Sequence, residues 1–367
     1  MVKARTRSHF NWHLLWITLA LCVIGLVNLF SAGHIWGQEG YPKIFTSQMI
    51  WMTSGFFLAG LILFVDYRVF ERLAFPIYWL TIGGLIAVLI FGKTVAGNKN
   101  WLTLFGLTFQ PSEFAKIGFI LAMSKYLNIY RPLQGFSLQE LIKPFVFFII
   151  PMGLILIAGD LGTALFFVLT FATMILFAGI QRKALITMIL MGMASILLAY
   201  FFLLSPYQRG RIHTFIDPSR DPRGQGYHLL QSKIAVGSGQ FFGKGYMKGM
   251  MNKLMYIPEK HTDFIFAVLL EEWGFFGGMV VLGLYLTMVM IGIDVASKAK
   301  ERFGIFLSLG VIALIFWQIV INIGGILGLL PLTGVTLPLL SYGGSSVITI
   351  LAGLGFLLNI SMRRFMF

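Results

Sequence analysis

The sequence predicts an all-α polytopic membrane protein with ten transmembrane helices and one long extracytoplasmic loop between the seventh and the eighth. Three observations carry this. The chain of 367 residues is 57% hydrophobic and only 11% charged, with a mean hydropathy of +0.84, which excludes an ordinary water-soluble domain. Its apolar residues gather into ten runs of the length a helix needs to cross a bilayer. Its basic residues are dense in every second inter-run segment.

The runs cover about 11–31, 47–65, 74–91, 112–128, 142–158, 161–180, 184–204, 263–292, 304–328 and 338–361. The first has no small-residue cleavage site and reads as a retained helix. The eighth is too long for one straight span, so its first turns are expected to project or tilt. The segments between runs are short except 205–261, so residues 1–367 read as one membrane domain. Trp12, Trp16, Trp51 and Trp101 lie near run ends, where indoles anchor. Cys22 stands alone, which excludes a disulfide framework, and the six His show no metal-ligand spacing.

Charge sets the orientation. With both termini cytoplasmic, the inner segments hold Lys3, Arg5, Arg7, Arg68, Arg72, Lys125, Arg131, Lys143, Arg182, Lys183, Lys298, Lys300, Arg302, Arg363 and Arg364. The short outer loops hold only Lys43, Lys93 and Lys99. The long outer loop departs from this pattern. It carries Arg209, Arg211, Arg220, Arg223, Lys233, Lys244, Lys248, Lys253 and Lys260 against Asp217, Asp221 and Glu259. Such an excess on an outer surface suits an anionic partner, either membrane lipid headgroups or a phosphorylated lipid substrate. Nucleic acid is not expected there.

Polar residues mark particular span ends. Glu259, Lys260, His261, Thr262 and Asp263 sit where the long loop meets the eighth run. They read either as a helix start capped by Thr262 or Asp263, or as a functional cluster. Pro111 suits the first turn of the fourth helix, and Glu113 and Lys116 are spaced to pair on one face. Asp160 opens the sixth helix as an N-cap or as a site residue. Pro338 to Ser346, with Ser341, opens the tenth. Glu271 and Glu272 lie inside the eighth run and require protein, water or a cavity to face. Gln318 and Asn322 are four apart and suit hydrogen bonds to neighbouring helices. In the predicted topology Glu113, Lys116, Asp160, Asp263 and Ser341 share the outer side, which suggests one outward-facing polar chamber. The deeper halves of the spans lack the relay of charges that a pump or channel uses.

These segments resemble the SEDS family (shape, elongation, division, sporulation), the RodA and FtsW group of peptidoglycan polymerases. The matching stretches include Phe109 to Lys116, Asp160 to Thr163, Arg211-Ile212 with Asp217-Pro218 and Asp221-Pro222, Gly226-Tyr227-His228, and Gly237-Ser238-Gly239. They continue through Pro258 to Phe266, Asn322-Ile323-Gly324 and Ser341 to Ser346. They run in family order over most of the chain. Pro331-Leu332-Thr333-Gly334 resembles the RodA, or elongation, branch more than the FtsW branch. One position departs: the family usually has Arg before the Trp of Gly97-Asn98-Lys99-Asn100-Trp101, and here it is Asn100, with Lys99 beside it to keep the charge.

The resemblance implies ten helices in the bacterial cytoplasmic membrane and glycosyl transfer from lipid II to a growing glycan strand. It implies Asp263 as the catalytic carboxylate, with Lys116, Glu113, Asp160, Arg209, Arg211, Glu259, His261 and Ser341 around the substrate. A divalent cation, Mg or Mn, is implied beside the leaving pyrophosphate, with no organic cofactor. The implied partners are a class B penicillin-binding protein with transpeptidase activity and the elongation machinery. Two other classes remain open on the residues alone: a flippase for the same lipid, and a scaffold without chemistry.

Overall fold

The computed structural model describes residues 10–34, 43–95, 98–104, 107–203, 206–221, 224–253 and 260–363. In chain order the helices are α1 (Trp12–Gly33), α2 (Lys43–Phe64), α3 (Tyr67–Phe91), α4 (Pro111–Ile129), α5 (Ile142–Ile157), α6 (Leu161–Ala178), α7 (Arg182–Leu198), α8 (Pro206–Ile216), α9 (Gln225–Ser238), α10 (Met250–Lys253), α11 (Ile265–Ser297), α12 (Arg302–Leu327) and α13 (Gly344–Arg363). Between α3 and α4 lies an antiparallel sheet, β1 (Lys93–Val95), β2 (Asn98–Leu104) and β3 (Leu107–Phe109), in that spatial order.

Helices form over all ten apolar runs. Among the described residues, eight helical stretches are long and apolar enough to cross a membrane: α1, α2, α3, α6, α7 with the π-helical turn that continues it to Phe202, α11, α12 and α13. Of the other two, α5 has 16 residues and α4 carries Glu113, Lys116 and Lys125. α12 and α13 are the most enclosed, whereas the stretch Arg182–Phe202 that begins at α7 is the least, with Ala184 buried near its start.

Several boundaries differ from the sequence expectation. α3 starts at Tyr67 rather than 74, because Asp66 caps a polar first turn by accepting from the Arg68 amide at 2.9 Å. α13 starts at Gly344 rather than 338. Leu339 has φ +64°, a left-handed conformation that breaks a helical path, so Pro338 to Tyr342 forms a turn. The long loop holds α8, α9 and α10. The eighth run is, as its length suggests, not one straight helix: α11 is broken at Gly274, with φ 67° and ψ −168°. The break leaves a short piece at 265–273, roughly 13 Å long at 1.5 Å per residue, and a spanning piece at 275–297 of about 34 Å.

Candidate active site

Asp263 lies in the turn 260–264 that precedes α11. The expected cap is not made by Thr262 or Asp263. Phe264 occupies the N-cap position without a side-chain cap bond, which leaves the Asp263 carboxylate for other contacts. Asp263 is half-buried. Its Oδ2 lies 3.6 Å from where a Cβ would stand on Gly334, itself at φ +73°.

The main chain of this turn is held by α12 and by the turn before α13. Asn322 donates from Nδ2 to the Asp263 carbonyl at 3.0 Å and to the Val335 carbonyl at 2.6 Å. Ser341 donates from Oγ to the Thr262 carbonyl at 2.6 Å and accepts from the Leu337 amide at 2.8 Å. The Tyr342 amide donates to the His261 carbonyl at 2.8 Å, and the two rings sit edge to face with centroids 6.2 Å apart. Gln48, fully buried in α2, holds the far side: its Nε2 donates to Ser341 O at 3.0 Å and its Oε1 accepts from Gly343 N at 3.2 Å. Gln318 donates to Ser346 Oγ at 3.2 Å. The helix-crossing role expected of Gln318 and Asn322 is thus observed, with the 335–346 segment as their partner.

A second cluster joins the first through backbone. Asp160 caps α6, accepting from the Thr163 amide at 2.9 Å and from Thr163 Oγ1 at 2.8 Å. Its Oδ2 also accepts from Asn100 Nδ2 at 3.0 Å and Gln110 Nε2 at 3.2 Å. The Gln110 amide donates to Ser345 Oγ at 2.9 Å. Gly162 packs on the Thr333 carbonyl, beside Gly334. Asp160, Gln110, Ser345, Gly334 and Asp263 therefore meet at one end of the bundle. The Lys99 ammonium is not among the groups bonded to Asp160 in the described residues. Its Nζ turns back to the carbonyls of Leu89 and Ile90 at 2.7 and 3.2 Å, where a cation complements the helix C-terminus.

Glu113 and Lys116 pair as expected, with Nζ to Oε1 at 2.7 Å, both buried. Lys116 also sits 4.8 Å from the centroid of the Phe166 ring. Glu113 Oε2 is buried without a hydrogen-bond partner among the described residues. Arg209 is not drawn into these clusters. It donates to the Phe201 carbonyl at 2.9 Å and lies against the Tyr200 ring. The Arg211 side chain and Glu259 lie outside the described residues.

The positive loop is partly neutralised from within the helices, which composition did not reveal. Lys244 pairs with buried Glu271 at 2.7 Å. Lys233 folds over Gly328, the residue that ends α12. Burial lowers the pKa of Lys260, and the negative charge of Glu272 partly opposes that shift. Asn100, Gln110 and Gly334 stand in stretches the sequence marks, but not as site residues, and Gln48 lies in none of them. For Gln48 a signal existed: an amide inside an otherwise apolar helix.

The fit of a divalent cation follows from the donor set. Among the described residues no three His, Cys, Asp or Glu side chains converge to hold a metal ion. The described residues therefore do not form a protein cage for one.

Residues 12–365 match the family model for FtsW, RodA and SpoVE, described as "Cell cycle protein". The chain belongs to the FtsW/RodA/SpoVE family. Over 359 residues it is 36% identical to the peptidoglycan glycosyltransferase MrdB of Escherichia coli, covering 98% of this chain and 95% of that one. A solved chain from work described as structural coordination of polymerization and crosslinking by a peptidoglycan synthase complex superposes with TM-score 0.83. The two are 32% identical, with 98% of this chain and 99% of that chain covered. The crystal structure of the rod shape determining protein RodA of Thermus thermophilus matches with TM-score 0.72 and 28% identity, covering 98% of each chain. As a member of this family with eight such helices, the protein is a multi-pass membrane protein.

Proposed function

We propose that this peptidoglycan glycosyltransferase of the FtsW/RodA/SpoVE family polymerises lipid II into glycan strands at the outer face of the bacterial inner membrane, in support of cell elongation. Both termini are cytoplasmic in this reading, α4 and α5 complete ten spans, and the Asp263 end faces outward. The observation that carries the reading is the convergence of Asp263, Ser341, Gln110 and Asp160 at one end of the bundle, beside the basic loop.

Asp263 acts as general base. Its carboxylate takes the proton of the acceptor sugar's 4-hydroxyl as that oxygen attacks the anomeric carbon of the lipid-linked strand. The bond from that carbon to the pyrophosphate oxygen breaks with its electron pair, expelling undecaprenyl pyrophosphate and inverting the centre. Asn322 and Ser341, by holding the main chain on either side of Asp263, keep the carboxylate in line. Lys116 and Lys260 offset the charge that develops on the leaving group. A class B penicillin-binding protein is the proposed partner, supported by the similarity to a chain of a peptidoglycan synthase complex that coordinates polymerization and crosslinking.

The test is purified protein in liposomes with labelled lipid II, with and without the partner and divalent cation. A ladder of glycan products supports the transferase. Movement of lipid II across the bilayer without any polymer supports a flippase instead. Neither activity, with the partner's crosslinking still dependent on this chain, supports a scaffold.

A further inference from the structure

Glu271 and Glu272 have no role in the chemistry above, yet both are fully or almost fully buried. Adjacent buried carboxylates are costly unless hydrogen-bonded and paired. Their partners lie in the segment that follows α9, which is spliced into the break of α11. The Phe275 and Phe276 amides, freed by the break, donate to the carbonyls of Gln240 and Phe241 at 2.9 and 3.0 Å. The Lys244 and Gly245 amides donate to the freed carbonyls of Glu271 and Glu272, each at 3.0 Å. A Cβ at Gly274 would collide with Gly243 N and Phe241 O, so only glycine permits the splice.

The two side chains then close around the same segment. Glu271 Oε1 pairs with Lys244 and accepts from the Met251 amide at 3.0 Å. Glu272 Oε2 accepts from the Met247 amide at 3.2 Å, and its Oε1 accepts from Ser31 Oγ of α1 at 2.6 Å. α1 adds two bonds, Asn28 Nδ2 to the Ile265 carbonyl and the Tyr246 hydroxyl to the Val27 carbonyl. The 265–273 piece is cut off from the spanning helix at Gly274 and is too short to hold a helix by itself. Its placement, and that of the Asp263 turn joined to it, depends on these contacts.

We propose that Glu271 and Glu272 are positioning residues for glycosyl transfer, clamping the 243–251 segment and α1 onto the short helical piece that follows the Asp263 turn. This rests on the reading of Asp263 as the catalytic base. The clamp fixes the direction from which the carboxylate meets the acceptor hydroxyl. Its loss reduces turnover more than substrate binding, because Lys116, held by Glu113 on α4, lies outside the clamp and keeps its place.

The experiment compares full-length wild type with Glu271→Gln, Glu272→Gln and Glu272→Asp in liposomes, measuring initial polymerisation rates over a range of lipid II concentrations. Hydrogen exchange is followed across 243–251 and 260–273. Glu272→Gln is expected to lower kcat about 10–100-fold with KM within about twofold, the scale of a small misplacement of a reacting group. Glu272→Asp should recover part of that rate, and exchange across both segments should quicken in the Gln variants while the remaining helices stay protected. Wild-type kcat in both Gln variants overturns the clamp. So does a loss of rate that only tracks the loss of folded protein, with no faster exchange in these segments. Wild type that makes no polymer sinks the transferase reading itself, and the clamp with it. Active wild type with active Gln variants sinks the clamp alone.

Discussion

Asn100 Nδ2 donates to Asp160 Oδ2 at 3.0 Å, at the position where the family resemblance leads one to expect arginine. The donor to the carboxylate here is a neutral amide. Asp160 also receives Gln110 and Thr163, so its carboxylate is satisfied without a paired charge. Asn100 is buried, and Lys99 is committed to the end of α3.

Substitution at 100 should therefore follow charge. Asn100→Asp places a second carboxylate against Asp160 and should lower the melting temperature and polymerase rate sharply. Asn100→Ala loses one hydrogen bond, about 1 kcal/mol, and should shift melting by a few degrees at most. Asn100→Arg should remain active, since a guanidinium restores the donor. Thermal unfolding in detergent, read beside the polymer assay, separates the three.

Asn322 ties the Asp263 carbonyl to the Val335 carbonyl through one amide. Asn322→Leu leaves two inward-facing carbonyls without that donor, at roughly 1–3 kcal/mol for each unsatisfied group. Asn322→Asp cannot donate as a carboxylate. Both should lower kcat, and Asn322→Gln should not restore it, because its longer side chain displaces the amide. Steady-state kinetics of the three variants provide the check, and wild-type kcat in Asn322→Leu contradicts the assignment.

Gly334 lies beside the Asp263 carboxylate at φ +73°. Alanine there costs roughly 1–2 kcal/mol of left-handed strain and brings a methyl group to 3.6 Å from Asp263 Oδ2. Gly334→Ala should stay folded but slower, and Gly334→Val should lose most activity. Expression level and melting temperature, compared with turnover, distinguish crowding at the carboxylate from general unfolding.

Lys260 should titrate below the ordinary lysine range, because burial disfavours its charge. Between the folded and unfolded pKa values the unfolded chain carries the extra proton, so stability rises with pH through that window. Carbon-13 methyl labelling of lysines, with Lys260→Arg to assign the signal, measures the titration. Glu272 opposes the shift, so Glu272→Gln should move the signal lower still. A Lys260 signal that titrates with exposed lysines contradicts this environment.

Much of the helical frame was legible because hydrophobic length is a strong signal. Each apolar run became a helix, and Pro111, Asp160 and the Glu113 with Lys116 spacing kept their local roles. What was hidden depended on contacts distant in sequence. The break in α11 is visible only as excess length until the 240–245 segment is seen to fill it. Glu271 neutralises a loop lysine twenty-seven positions away, which composition read as free positive charge. The strands between α3 and α4 are too short for periodicity to mark. Asp263 resembled a cap because caps and catalytic carboxylates share a place at helix starts, and only the geometry gave the N-cap position to Phe264.

The most direct measurement is the polymerisation rate of Asp263→Asn, an isosteric change that removes the base and leaves the turn intact. The account predicts a loss of about 10²–10⁴-fold, the range of general base catalysis, with lipid II still bound and the Asn322 and Ser341 contacts preserved. Polymerisation by Asp263→Asn at the wild-type rate would contradict it.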